Sequence, residues 1–583
     1  MKPAELRTGS QYRILFLLFA ALYLFQVNKV GSDYNRFNKI INEDAFGYYV
    51  VLPAFFKYQD PEFAFLDSVL RKTDAYASYR PPVVNQMANG QKVCKYYSGV
   101  ALLQLPFYLI CKAITPANYT GFEPAFHFAI LCSAVFYLLF GFYILSGIMR
   151  RFAIPPLLAF LLITATLFGS NLLAYATYDI AYSHVYSFFA LVSFCAALLK
   201  LKEMPGRRNA ILAGLLYGLI ILIRPLNGVA IFFLPIMFPA STLIAFFKTE
   251  HILKPISGIL SAFSVLSIQS ALWYWQTGSL IVYPYGHETL NLSDPKLFEL
   301  IFGFNCGWAV YSPLPFLMLM LSIVFLFVQK AWRQGIWTMM TSSVILYLLS
   351  CWYYLHYGCT LGCRPITEFY GPLLFLFTYT VRHYTRLNAF RFGFLPLAGL
   401  LTVYNLILHK QFFETIINPC DMDRKRFGMV FLKTHEAYRY SCSPFWDFSA
   451  YNSNPVLYEL PLNRTLQTGK QKEKDTLTLV LPPMEARDSA LLFEVDMQGI
   501  MRNDINESYL RILLTDNGAY KDLLNLLLRR KISVSDAGQN FTYQFHVPGS
   551  LPKGKLNLSL ESVDGQSETL LRIRNIRIKK IPR

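Results

Sequence analysis

Two adjacent carboxylates, Glu43 and Asp44, stand about a dozen residues after the first long apolar run and are followed at once by Ala45-Phe46-Gly47-Tyr48-Tyr49-Val50-Val51-Leu52-Pro53. A carboxylate held at a bilayer surface can take the proton of an acceptor hydroxyl as that hydroxyl attacks an activated carbon. In sugar transfer from a lipid phosphate the carbon is the anomeric one. Asp44 is the candidate base, with Glu43 beside it. The pair also suits a structural task, capping a helix that begins near Ala45, because Asp is a favoured N-cap residue.

A phosphate leaving group calls for a cation. Arg224 lies in Ile223-Arg224-Pro225-Leu226-Asn227 and Arg364 in Tyr357-Gly358-Cys359-Thr360-Leu361-Gly362-Cys363-Arg364-Pro365. A planar, permanently charged guanidinium binds phosphate in bidentate fashion; a salt bridge to Asp179 or Glu368 is the structural alternative for each. Tyr178-Asp179-Ile180-Ala181-Tyr182-Ser183-His184 offers a carboxylate, two phenols and an imidazole at nearly one depth. Tyr182 and His184 are candidate substrate contacts, although a His at a helix end also serves structure. His287-Glu288 could close over the site or only anchor its own loop, and Tyr48, Tyr49, Lys95 and Glu368 complete the candidate set. The chain has no Gly-x-x-x-x-Gly-Lys-Ser/Thr motif and no Rossmann fingerprint, which leaves an activated lipid-linked donor as the energy source. Cys359-x-x-x-Cys363 lacks the partners of a zinc site. No cofactor is assigned, and a divalent metal requirement is left open.

The elements that must position these residues are membrane helices. The 583 residues are 54% hydrophobic and 16% aromatic, and repeated apolar runs reach the roughly 20 residues a bilayer crossing needs. The expected fold class is a polytopic α-helical membrane protein. The run Ile14 to Val27 follows Arg7 and Arg13 without a small-residue cleavage site, so it reads as an uncleaved first helix with a cytoplasmic N-terminus. Net charge is +18, but from Gln411 onward 24 basic residues face 20 acidic ones. The excess therefore lies in short clusters between apolar runs: Lys2/Arg7/Arg13, Arg150/Arg151, Lys200/Lys202/Arg207/Arg208, Lys248/Lys254, Lys330/Arg333 and Arg382/Arg386/Arg391. By the positive-inside rule these mark cytoplasmic loops and give no support to nucleic-acid binding.

One apolar stretch, Ser98 to Ile114, is left out of the spans, because counting it would turn every later basic cluster outward; it is expected along the outer surface. About eleven spans remain, near residues 12–29, 125–148, 153–173, 180–199, 209–223, 228–247, 255–276, 308–329, 335–354, 365–381 and 392–409. They place the C-terminus outside. The expected domains are a catalytic membrane domain over 1–410, with a first outside loop at 30–124, a loop-rich connector at 411–470, and an extracytoplasmic β-sandwich at 471–583. Strand-length runs in the last are Leu477 to Leu481, Ala490 to Val495, Tyr509 to Leu514, Lys531 to Val534, Phe541 to Val547, Lys555 to Leu560 and Leu570 to Ile578. Cys111, Cys132, Cys195 and Cys351 read as packing residues, while Cys420 and Cys442 could form a disulfide.

Several pieces resemble the bacterial GT-C superfamily of membrane glycosyltransferases, relatives of the protein O-mannosyltransferases and aminoarabinose transferases. They are the acidic pair before Gly47-Tyr48-Tyr49 and Leu52-Pro53, Lys95-Tyr96-Tyr97-Ser98-Gly99-Val100 to Leu105-Pro106-Phe107, and Ser183-His184. Arg224-Pro225, Phe302-Gly303 to Gly307 with Tyr311-Ser312-Pro313, and Gly358 to Arg364 continue the series. The resemblance covers roughly residues 10–410. It implies a polyprenyl-phosphate-sugar donor, a site on the outer face, Asp44 as the matching carboxylate, and residence in a bacterial inner membrane. The acidic pair of many relatives reads Asp-Glu or Asp-Asp, whereas here it is Glu43-Asp44.

Together these readings lead to an expected glycosyltransferase that inverts at the anomeric carbon and delivers a sugar to a glycan, lipid or protein acceptor. By analogy, the C-terminal domain would bind glycan or position the acceptor. The alternatives are a flippase or transporter of a lipid-linked glycan, which calls for broken helices and polar groups near the midplane, and a non-enzymatic anchor displaying the sandwich.

Overall fold

Apolar runs without internal proline fold as long helices in the computed structural model of the chain. It describes residues 3–582 apart from 35, 67, 68, 70–83, 87–89, 247, 249–251, 287, 356, 359, 385, 386, 419–421, 435–452, 469–473, 486–488, 502–507, 517, 518, 528–534, 549, 550 and 563–568. The chain divides into two compact units, Met1–Tyr357 with Leu361–Leu406, and Gly358–Thr360 with Ile407–Arg583.

The first unit is mostly helical. Among the described residues, five helices are long and apolar enough to cross a membrane: Gly9–Asp33, Pro124–Arg151, Ser183–Glu203, Leu253–Thr277 and Phe390–Phe413. A sixth counts if Pro225–Met237 and Ala240–Phe246 are one span, although they meet at 109°. Large apolar side chains such as Leu17, Phe25, Phe263 and Leu400 point outward, each more than 60% exposed. In water such a surface would be costly; against lipid tails it is not.

Four of the other six expected spans are broken, and proline explains most of the breaks, since its ring removes a helix donor and clashes with the preceding turn. Run 153–173 becomes Pro156–Phe168 and Leu172–Thr177. Run 308–329 becomes Trp308–Tyr311 and Pro313–Val328. Run 228–247 is interrupted around Pro235 and Pro239, and run 365–381 opens as the 3-10 turn Arg364–Phe369 before Tyr370–Val381. Arg207–Ile223 and Trp332–Ser350 are single helices of 17 and 19 residues.

The stretch left out of the spans is the helix Gly99–Ile114, 16 residues long. At 1.5 Å per residue it reaches about 24 Å, short of a hydrocarbon core of about 30 Å. It is packed among other helices along one side, where Gln104 is fully buried and donates to the Tyr186 hydroxyl at 3.1 Å; Ile110 and Ile114 on its other side are exposed. Before it, a hairpin of β1 (Val84–Gln86) and β2 (Lys92–Cys94) runs antiparallel. The Cys94 thiol donates to the Gly47 carbonyl at 3.3 Å, tying the hairpin to the helix Glu43–Tyr49.

The second unit holds two four-stranded antiparallel sheets. Its strands are β3 (Val456–Thr468), β4 (Lys474–Val480), β5 (Ser489–Met501), β6 (Ser508–Asp516), β7 (Ala519–Leu527), β8 (Ser535–Pro548), β9 (Gly554–Ser562) and β10 (Thr569–Pro582). The orders are β3-β10-β5-β8 and β4-β9-β6-β7. Leu491, Phe493, Val495 and Met497 alternate into an apolar core that also takes Leu556, Leu558 and Leu560, as a period of two requires. Residues 411–470 are less loop-like than expected: they carry the helix Arg424–Val430 and the strand β3, whose alternation is masked by exposed Val456 and Leu457. The expected strand Lys531 to Val534 lies outside the described residues, and β7 stands where no strand was expected.

Candidate active site

Asp44 and Arg364 form an ion pair of 2.7 Å in the first unit. The other Asp44 oxygen accepts from the Tyr96 hydroxyl at 2.6 Å. Asp44 lies in the first turn of the helix Glu43–Tyr49, where a negative charge meets the positive end of the peptide dipoles. The N-cap is Asn42 without a side-chain bond, so neither acid caps the helix as the structural alternative had it. The chain is held on entry by the Ile41 amide, which donates to His127 Nδ1 at 3.1 Å. Glu43 adopts φ +49°, a left-handed conformation that costs a non-glycine residue about 1–3 kcal/mol. Its carboxylate accepts from Tyr182 OH at 2.7 Å, so the two acids of the pair take different partners.

Burial by itself would raise the Asp44 carboxyl. The Arg364 charge, the Tyr96 hydrogen bond and the more distant Lys95 and His184 outweigh it and hold the carboxyl below the usual Asp value. Tyr48 stacks obliquely on Tyr96 with ring centres 4.5 Å apart, and burial, opposed by the Arg224 charge, pushes its phenol to about 12. Both phenols stay protonated, and that of Tyr96 is the hydrogen-bond donor to Asp44.

Arg364 is aimed by the turn before it. Gly362 has φ +64°, and a Cβ there would stand 2.7 Å from Tyr311 Cβ, so only glycine fits. The buried Asn171 amide donates to the Leu361 carbonyl at 3.0 Å, while its oxygen accepts from Ser312 and Tyr370. The Tyr182 ring centre lies 5.5 Å from the Arg364 guanidinium, within cation-π range.

Arg224 pairs with Glu368 rather than Asp179, at 2.8 Å through Nη1. Glu368 is fully buried, and both its oxygens are used: Oε1 by Arg224, by His184 Nδ1 at 2.9 Å and by Ser183, Oε2 by Asn227. Asn227 also donates to Ser187 at 3.1 Å. Isolated buried charge is costly, and this network satisfies it. Both Glu368 oxygens and the His184 Nδ1 are thus engaged within this network. The Tyr182 ring lies 5.5 Å from the Arg364 guanidinium and 6.3 Å from the His184 ring, and His184 shares Glu368 with Arg224, which places the two arginines in one neighbourhood.

Other expected contacts are engaged with partners of their own. Tyr49 is fully buried, donates to the Gly121 carbonyl at 2.5 Å and packs on Tyr108 and Phe122, so it belongs to the core. Asp179 pairs at 3.1 Å with Arg36, whose guanidinium lies 3.9 Å from the Tyr178 ring. Lys95 and Glu288 form an ion pair that ties the segment after β2 to the loop after Leu253–Thr277. His287, Cys359, Cys420 and Cys442 lie outside the described residues.

Sequence reasoning named Asp44, Glu43, Arg224, Arg364, Glu368, Tyr182 and Tyr48, all of which meet here. It missed Tyr96 as a partner of Asp44, and it missed Asn227 and Arg36. Asn227 was signalled by its place three residues after Arg224 in a proline-opened turn, whereas Arg36 meets Asp179 only through tertiary packing. Among the described residues, no group of three or more His, Cys, Asp or Glu side chains is placed to hold a metal ion. Compared with family models and with curated proteins, the chain matches none.

Proposed function

We propose that this protein is an inner-membrane glycosyltransferase that moves a sugar from a polyprenyl phosphate to an acceptor outside the cytoplasm, with Asp44 as general base. One observation carries the reading: the acid and two arginines lie in one neighbourhood, among phenols and beside helices apolar enough for a bilayer. Ionisable groups at such a place are expensive unless they do work. The acceptor oxygen would lose its proton to Asp44 as it bonds to the anomeric carbon, and the carbon–oxygen bond to phosphate would break toward the arginines. One displacement inverts the carbon. The order of short motifs that resembles the GT-C superfamily supports the same chemistry.

The finer architecture belongs to this proposal: eleven crossings, with the bent and proline-broken pieces counted, the site and C-terminus on the outer side, and the two sheets as a glycan-binding β-sandwich. A second reading, a flippase for a lipid-linked glycan, is favoured by the 109° break between Pro225–Met237 and Ala240–Phe246. The two separate when the full chain in vesicles is given radiolabelled polyprenyl-phosphate sugars and soluble glycan acceptors. Cleavage of the lipid-sugar bond supports the transferase; label that crosses the bilayer uncleaved would replace it with the flippase.

A further inference from the structure

We infer that the donor phosphate uncovers the base: on arrival it draws the Arg364 guanidinium off Asp44, while Tyr96 keeps hold of the carboxylate. This inference rests on the transferase reading above and adds an order of events to it. As the protein stands, both Asp44 oxygens are occupied, one by Arg364 at 2.7 Å and the other by Tyr96 at 2.6 Å. A carboxylate so paired is a weak base, and the guanidinium that should hold the phosphate is turned to the acid. The two assigned roles therefore compete for one contact.

The two arginines are not held alike. Arg224 is fixed by Glu368, fully buried and saturated by His184, Ser183 and Asn227, so nothing is gained by moving it. Arg364 is held by Asp44, whose side chain is 26% exposed, and its own Nε is buried with no hydrogen-bond partner. An unmet buried donor is costly, and an anionic phosphate supplies oxygens for the whole fork of the guanidinium. Arg224 is the standing half of the anion site and Arg364 the half that changes partner.

Once Arg364 has turned, Asp44 keeps the Tyr96 hydrogen bond, has Lys95, His184, Tyr48, Tyr182 and the carboxylates of Glu43 and Asp179 around it, and lacks its strongest counter-charge. It becomes a better base only when a donor is present. The acceptor O–H then gives its proton to Asp44, its oxygen bonds to the anomeric carbon, and the carbon–oxygen bond to phosphate breaks with its electron pair on the phosphate. The Asp44 proton returns to water as product leaves and Arg364 swings back. A resting enzyme whose base is covered does not hydrolyse donor idly.

The test titrates Asp44 by difference infrared spectroscopy on the full chain in lipid nanodiscs, with and without a polyprenyl monophosphate whose binding is counted by radiolabel. Asp44→Asn assigns the carboxyl band by removing it; if that variant does not fold, Asp44→Glu assigns it by shifting it. Bound lipid should raise the midpoint by about 1–3 pH units, the size of losing one close counter-charge. Inorganic phosphate at millimolar concentration should move it the same way if the headgroup alone is read, and a shift with the lipid only makes the chain part of the signal; both agree with the inference. Arg364→Gln should show the raised midpoint without any ligand. Bound lipid with an unmoved midpoint would overturn the switch and leave the transferase reading intact, whereas no binding of the lipid would overturn both.

Discussion

Arg224 and Arg364 each neutralise one carboxylate, but Glu368 is sealed in and Asp44 is not, so substitutions at the two pairs should differ. Glu368→Ala strips His184, Arg224 and Asn227 of their common acceptor, and breaking a buried pair from one side costs about 3–5 kcal/mol. Denaturant titration in detergent checks this, and a loss under 1 kcal/mol would contradict the network. Asp179 gives a pH signature. Burial, partly offset by Arg36, raises its carboxyl from 3.8 to about 7, so the folded chain binds the proton more tightly than the unfolded one. Its contribution to stability is full below about pH 4 and is lost as pH rises toward 7. Asp179→Asn should remove that fall from a melting-temperature profile; an unchanged profile would count against it. These charges were legible as rare ionisable residues at helix ends. Their pairing was not, because Arg364 and Asp44 are brought together by tertiary packing with no local spacing to read.

One close approach fixes the helix that ends just before Arg224. A Cβ on Gly99 would lie 2.4 Å from the Ile223 amide nitrogen, so the start of the helix Gly99–Ile114 is pressed on the residue before Arg224. Gly99→Val should push these backbones apart and lower both melting temperature and donor turnover, by tenfold or more in the latter since small misplacements of catalytic groups cost about that much. Wild-type turnover in this variant would show that the contact does not position Arg224. Helices without proline could be read from the sequence to within a few residues. The broken runs could not, because hydropathy averages over the prolines that interrupt them. In the sheets, alternation revealed β4, β5, β6, β8, β9 and β10, whereas β3 was hidden by apolar residues on its exposed side and β7 by charged and polar residues among its leucines.

Across the molecule, the proposed topology puts the sheet unit outside the cytoplasm. Thr478 in β4 is exposed. Thr478→Cys, in a background with Cys420 and Cys442 changed to Ser, should react with a membrane-impermeant maleimide on intact spheroplasts; reaction only after lysis would invert the topology. Membrane character was legible from composition and the position of basic clusters. How many runs cross was not, since crossing depends on how broken helices stack, and among the described residues five are long enough and a sixth is bent.

The most direct measurement of the central claim compares donor cleavage by the full chain with that of Asp44→Asn and Glu43→Gln, each purified folded. A positioned general base contributes about 10²–10⁴ in rate. Asp44→Asn should lose that factor while Glu43→Gln, whose carboxylate is turned to Tyr182, stays within about tenfold of the parent. Turnover retained in Asp44→Asn and lost in Glu43→Gln would move the base to the neighbouring acid and contradict the assignment.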